Sequence, residues 1–506
     1  MSNKTNKRAL SGRLLQKNGH LRETVTDWYI FVMLLVYCLW CPEGFTSVEE
    51  PKFVFFAAAT LLWFVLLVSI SFEEGLPTRF FTPARVSALV FAAVCILSTI
   101  FSPFDLSVII IGHRDTGLLT QLLLAMILIG VSRFGHCRER HFIAFGISIT
   151  LLCLISIVQK MGINIFGFYP GDTSYFDYPS FLGTIGNIDT LGAPVSLAVP
   201  LFLGLFVKKE APYDKLYLIP LFCGSMLLTL GGAESALLGV AVVSVIAPAF
   251  LIRSMKDLRR TLGGFAVVLA GVGLGSAMSF SVTDGVAALR FRFGTLTVAC
   301  LVLAAVFGAA FWLLQYVKKE PSARVFRNVF IAVVIVCVAG ALTAVWFWPG
   351  ESGTIYEASQ ILHGHFEDSY GNERIGIWRV TLTNVPEAPL LGGGPGTLYL
   401  RTVKVLSNDT VARLAHNTYL QYLVDTGILG LLSYLAVIVT ALFTRRRVQW
   451  EPFRVGLILA ALSYAGQDFF NLGVPVASPF FWIILGLLQT ETEAETEANE
   501  EPAADA

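Results

Sequence analysis

The sequence predicts an all-α, polytopic transmembrane helix bundle of about fourteen spans, N-in and C-in, with a large outer loop layer between spans 11 and 12. Three observations predict it. Hydrophobic residues make up 55% of the 506 and charged residues only 14%, whereas a soluble surface of this size needs about 25% charge. Mean hydropathy is +0.68. Apolar runs recur near the length of roughly 20 residues that a helix needs to cross a hydrocarbon core of about 30 Å.

The same composition excludes other classes. The 36 basic and 36 acidic residues cancel, leaving no basic excess for nucleic acid. Eight cysteines are too few for a disulfide scaffold, and Cys95, Cys153, Cys223, Cys300 and Cys337 sit inside apolar runs.

Residues 1–24 form a basic, polar start without a signal peptide's cleavage site, so the first span is expected to remain as an anchor. Eleven runs follow in a bundle over 25–348, at about 25–41, 53–71, 86–102, 117–132, 142–160, 188–207, 216–230, 235–252, 262–281, 293–316 and 328–348. A long loop, 349–416, separates them from runs at 417–443, 454–470 and 474–489. Lys and Arg are retained on the cytoplasmic side. Clusters such as Arg138-Glu139-Arg140, Arg259-Arg260 and Arg445-Arg446-Arg447 fall in alternate connections, which sets the N-in, C-in orientation. The tail, 490–506, alternates Glu with Thr or Ala, has no apolar face, and reads as a disordered acidic cytoplasmic segment.

The polar residues that invite explanation gather on the outer side. One loop carries Gly112-His113-Arg114-Asp115-Thr116-Gly117, and another ends in Gly183-Thr184-Ile185-Gly186-Asn187-Ile188-Asp189. In the long loop, Asn372 to Val385 reads as a short amphipathic helix closed by Pro386. Its stripe of Ile375, Trp378 and Leu382 suits a membrane interface. Arg374 and Arg379 are five apart and diverge by about 140° on a regular helix, so they do not grip one ligand together. Arg374, at the helix start, is the one placed to reach back to the bundle.

Leu391-Gly392-Gly393-Gly394-Pro395-Gly396 is a backbone that can approach a ligand closely, but no Lys-Ser or Lys-Thr follows to make a Walker loop. The loop ends in His416-Asn417-Thr418. A histidine at the mouth of a bundle exchanges protons near neutral pH; its bland reading is an interfacial hydrogen bond. His363-Gly364-His365 lacks the carboxylate or cysteine partners of a metal site, and no metal or cofactor is expected. Glu234, at the start of the eighth span, either lines the site or marks a helix end nearer the surface, because an acid at membrane depth needs a partner or water. Gly427 and Gly430 permit close helix approach.

These residues resemble the O-antigen ligase and Wzy-type O-antigen polymerase superfamily. The resemblance rests on His416-Asn417 followed by Gly427 and Gly430, on Arg374-Ile-Gly-Ile-Trp378 leading to Pro389-Leu-Leu-Gly392-Gly-Gly394, on Gly186-Asn187, and on Gly112-x-Arg114-x-x-Gly117. It covers about 105–445 in order. Ala233-Glu234-Ser235 departs from the family's frequent Ser-Arg-Gly, and Asn187-Ile188-Asp189 from Asn-Pro-Asn.

The resemblance implies metal-independent glycosyl transfer on the outer face of the bacterial cytoplasmic membrane, in a multi-pass protein. The donor would be a glycan on undecaprenyl diphosphate. The acceptor would be a hydroxyl of a glycan, glycolipid or protein. His416 and Arg374 are then the catalytic candidates, a base for the acceptor hydroxyl and a preorganised positive charge for the leaving diphosphate. Arg114, Arg379, Glu234, Asn187 and Asn417 are the substrate-binding candidates. The acid at 234 leans the reading toward a polymerase or generic surface-glycan transferase. Two alternatives stand beside it: a solute carrier of the inorganic-carbon kind, against which the scarcity of mid-membrane charge counts, and an inactive glycan-assembly subunit.

Overall fold

The computed structural model describes residues 21–71, 80–170, 181–283, 286–317, 321–401, 413–443 and 452–490. The acidic tail from residue 491 on, residues 1–20 of the basic start and the Arg445-Arg446-Arg447 cluster lie outside the described residues, as do 171–180 and 402–412 of the two outer connections.

The chain is mostly helical, and each apolar run of the sequence carries a helix. In chain order these are α1 (21–39), α2 (Glu49–Ser71), α3 (Pro83–Ile100), α4 (Leu106–Ile111), α5 (Leu118–Phe134), α6 (Glu139–Lys160), α7 (Ile188–Lys208), α8 (Leu218–Leu230) and α9 (Glu234–Leu251). Then come α10 (Met255–Ala277), α11 (Thr295–Leu313), α12 (Ala323–Trp346), α13 (Thr354–Leu362), α14 (Arg374–Thr383), α15 (Thr418–Asp425), α16 (Gly427–Phe443), α17 (Pro452–Gln467) and α18 (Ser478–Leu487). Among the described residues, nine helices are long and apolar enough to cross a membrane: α2, α3, α5, α6, α7 and α9 to α12. Helices α16 and α18 are apolar but shorter.

Helix α7 is the hub, buried along its whole apolar window and packed against α17, α8 and α9. A Cβ on Gly204 would stand 2.6 Å from the Cα of Gly456, so only two glycines let α7 and α17 approach backbone to backbone. Helix α16 packs on α3 and α18 on α5. At the other extreme the apolar window of α12 has no buried residue. It presents its apolar length outward, as a lipid-facing helix does.

Two charged residues buried inside the bundle are locally satisfied. Lys52 is fully buried and donates to the carbonyls of Tyr37 and Cys38 at 3.0 and 3.3 Å, where α1 ends. Asp468, also fully buried, accepts the Tyr434 hydroxyl at 2.7 Å and the Thr418 hydroxyl at 3.2 Å, tying α16 to the end of α17.

The structure departs from the sequence reading in four places. The run 417–443 is two helices, because Gly427 adopts φ +68° and a Cβ there would fall on the Leu390 carbonyl. The amphipathic helix starts at Arg374 rather than Asn372, since Asn372 and Glu373 both take positive φ (59° and 65°). Helix α13 lies unforeseen in the long loop. An antiparallel ribbon, β3 (Met278–Thr283) with β4 (Val286–Phe291), joins α10 to α11 and takes the end of the expected run 262–281 out of its helix. The short pair β1 (Phe181–Leu182) and β2 (Gly186–Asn187) shapes the entry to α7.

Candidate functional site

The site assembles at one end of the bundle, where α2, α7 and α15 begin. Its base is a latch of backbone. Asp425 is 3% exposed and closes α15. Its Oδ2 accepts the Gly396 amide at 3.0 Å and the Gln421 side-chain amide at 2.7 Å, while Oδ1 accepts the Leu398 amide at 3.0 Å. Its carbonyl takes the Gly394 amide at 2.7 Å and the Ser98 hydroxyl at 3.1 Å. Beyond the hinge, Ile428 donates to Pro389 at 2.9 Å. The glycine-rich segment is therefore spent on the α15–α16 hinge. Its Gly396 carbonyl also receives the His113 amide at 3.1 Å, which seats the Gly112–Gly117 loop on the same support.

On this base sits the loop before α15. Asn417 caps that helix, its Oδ1 accepting from Tyr419 and Leu420, each at 3.0 Å. Asn187 caps α7 likewise, accepting from Asp189 at 2.9 Å and Thr190 at 3.4 Å. Both asparagines thus hold helix starts, which stabilises each by about 1 kcal/mol. The two starts are joined: Asn471 donates to the Asp189 carbonyl at 2.9 Å, and its own carbonyl accepts the Thr418 hydroxyl at 3.1 Å.

His416 stands between these anchors at φ +48°, a left-handed conformation that costs on the order of 1–3 kcal/mol for a non-glycine residue. Burial lowers its imidazole pKa below the usual 6.5, and the Arg374 and Arg114 guanidiniums push it further down against the opposing pull of Asp189. The structure therefore brings His416, Arg374 and Arg114 into one electrostatic neighbourhood, with Asp189 as the acid.

Arg374 opens α14 and donates to the Gly371 carbonyl at 3.3 Å. Its Nε is buried with no hydrogen-bond partner among the described residues, and so is the indole Nε1 of Trp378 one turn on. Residues four apart share a helix face, so α14 presents two buried donors on one side. Trp378 packs on Phe469 and Phe470, with ring centroids 5.9 and 5.8 Å away. The fully buried positions of α14 are Gly376, Ile377 and Thr381. Of the expected stripe, Leu382 alone is strongly exposed.

Arg114, at φ +51°, pairs through Nε with the Glu49 carboxylate at 2.6 Å. Both line a cleft of about 310 Å³ together with Asn187, Thr190, Ser47 and Phe181. Two further expected residues are exposed. Arg379 is exposed and pairs with Asp368. Glu234 opens α9 and is exposed, as a helix end near the surface would be. His363 and His365 follow α13, where the His363 ring lies 4.1 Å from that of Trp346. Among the described residues no group of three or more His, Cys, Asp or Glu is arranged to hold a metal.

Asp425 and Glu49 escaped the sequence reading. An acid inside the apolar run 417–443 is costly, and that was the available signal for Asp425. Nothing local marks Glu49, which meets Arg114 across 65 positions of sequence.

Residues 292–435 match the O-antigen ligase family. That match supports the O-antigen ligase and polymerase superfamily for this chain. It contains Arg374, the glycine segment, His416, Asn417 and Asp425, so the latch and the histidine loop both fall in the ligase-family region. It implies a glycosyltransferase-like ligase activity with a lipid-linked glycan donor and a glycan acceptor, in a multi-pass membrane protein. It gives no support to the solute-carrier alternative. No curated protein matches the chain.

Proposed function

We propose that this protein transfers a glycan from an undecaprenyl-diphosphate-linked donor to an acceptor hydroxyl at the outer face of a bacterial cytoplasmic membrane, in surface-polysaccharide polymerisation or O-antigen-type ligation. The observation that carries the reading is His416 within the electrostatic reach of Arg374 and Arg114, with His416 and Arg374 both in the region that matches the O-antigen ligase family. A histidine whose pKa is lowered keeps its lone pair at neutral pH, which a general base requires.

In this reading His416 takes the proton of the acceptor hydroxyl as its oxygen bonds to the anomeric carbon. The bond from that carbon to the diphosphate oxygen breaks, and undecaprenyl diphosphate leaves with the electron pair. Arg374 stabilises the charge growing on that oxygen, and its Nε and the Trp378 indole supply donors suited to phosphate or sugar oxygens. Arg114, held by Glu49, and the cleft beside it bind the glycan. The acceptor is a glycan, glycolipid or protein hydroxyl, and no metal takes part in the scheme.

The test is transfer in membranes carrying the lipid-linked donor, comparing wild type with His416→Ala and Arg374→Ala at matched expression. Loss of transfer in both, with the protein still inserted and monodisperse, supports the reading. Full transfer by either variant overturns the role given to that residue.

A further inference from the structure

The connection between α17 and α18, residues 468–477, lies outside the region 292–435 that matches the ligase family. Three elements of the site nevertheless rest on its first four residues. The first is the histidine loop. The Thr418 amide donates to the Asp468 carbonyl at 2.9 Å, and the Thr418 hydroxyl lies 3.2 Å from Asp468 Oδ1 and 3.1 Å from the Asn471 carbonyl. The second is the start of α7, where Asn471 Nδ2 donates to the Asp189 carbonyl at 2.9 Å. The third is α14, whose Trp378 packs on Phe469 and Phe470. Asn471 is buried, and its Oδ1 accepts the Leu472 amide at 2.8 Å, which commits Nδ2 to α7.

His416 lies two residues before Thr418 and is left-handed. A residue keeps such a conformation where its surroundings over-determine it. Before it, the Ala415 amide donates to Gln421 Oε1 at 2.9 Å, a contact between the loop and its own helix. After it, the chain of bonds from Thr418 through Asn471 to Asp189 runs to a different helix. We propose that Asn471 is a positioning residue for glycan transfer, setting the His416 loop against the first turn of α7. This role rests on His416 serving as the base in that transfer. Asn471 makes its bonds inside the protein and acts through His416 rather than by touching substrate. A misplacement of about 1 Å can cost about 10²-fold in rate, so the loss falls on turnover and leaves substrate binding in place.

The experiment measures kcat and donor KM for the full-length protein in proteoliposomes loaded with undecaprenyl-diphosphate-linked glycan extracted from the host. Asn471→Leu removes the donor to α7 and is expected to lower kcat roughly 10–100-fold, with KM within about twofold of wild type. Leu472→Ala loosens the same connection by opening the core and leaves the bond to α7, so its kcat is expected to stay within about threefold. Thr418→Val, which keeps the shape and loses the hydroxyl, is expected to lower kcat, and Thr418→Ser to restore it; this pair decides the matter if Asn471→Leu does not insert. Wild-type kcat in Asn471→Leu or in Thr418→Val overturns the proposal. So does an equal loss in Leu472→Ala, or a loss that appears in KM alone. His416→Ala is assayed beside them. Its inactivity together with wild-type kcat in Asn471→Leu overturns the positioning role alone, whereas full transfer by His416→Ala overturns the role of His416 and this one with it.

Discussion

Asp425 accepts the backbone amide of Gly396 at 3.0 Å across 29 positions of sequence. Two motifs that are separate in the chain, the glycine-rich segment and the helix that follows His416, are therefore one structural unit. The carboxylate meets three donors in a buried setting, and each hydrogen bond to a charged group contributes about 1.5–3 kcal/mol. Asp425→Ala should lower stability by about 3 kcal/mol or more, read as a fall in melting temperature in detergent. A variant that melts with wild type would show that the glycine segment holds its place without the latch.

Asn417 caps α15, and serine is an equally good cap. Asn417→Ser should keep both stability and glycan transfer near wild type, while Asn417→Ala should lose about 1 kcal/mol of stability. Transfer abolished by Asn417→Ser at an unchanged melting temperature would mean that the amide itself contacts substrate.

Arg374 and Arg379 sit on one short helix and should part company on mutation. Loss of a preorganised donor to developing charge costs about 10²–10³-fold in kcat, so Arg374→Ala should fall in that range. Arg379 is exposed and paired with Asp368. An exposed pair is worth about 0–1 kcal/mol, and Arg379→Ala should change transfer by less than about fivefold. Equal losses from the two would contradict the placement of the leaving group at Arg374.

The pH profile follows from the charges around His416. Burial first, then Arg374 and Arg114, hold the imidazole pKa below 6.5. A base must be neutral to act, so transfer should stay level as pH falls toward 6.5 and decline only below it. Arg374→Gln removes one lowering cause and should move that acid limb upward in pH, which residual activity in reconstituted vesicles can read. A limb that moves downward, or stays fixed, would separate Arg374 from His416.

Much of the bundle was legible because a bilayer imposes one length and one polarity on every helix that crosses it. Hydropathy located the long apolar helices, whereas α13 went unforeseen and the helix expected from Asn372 starts at Arg374. What stayed hidden depends on backbone conformation or distant partners. The break at Gly427 needs its positive φ and the Leu390 carbonyl beside it. The glycines of 392–396 read as a surface for a ligand, yet their partner is the α15–α16 hinge. Asn187 and Asn417 were expected to bind substrate, and nothing in the sequence reading marked their roles as caps of α7 and α15. The Arg114–Glu49 pair has no local sign at all.

The most direct measurement is the surface glycan of a host carrying His416→Ala in place of wild type, at matched expression. The account predicts collapse to single repeat units if the reaction is polymerisation, or full-length glycan accumulating on its lipid carrier if it is ligation. An unchanged amount and chain-length distribution would contradict the claim that His416 performs glycan transfer.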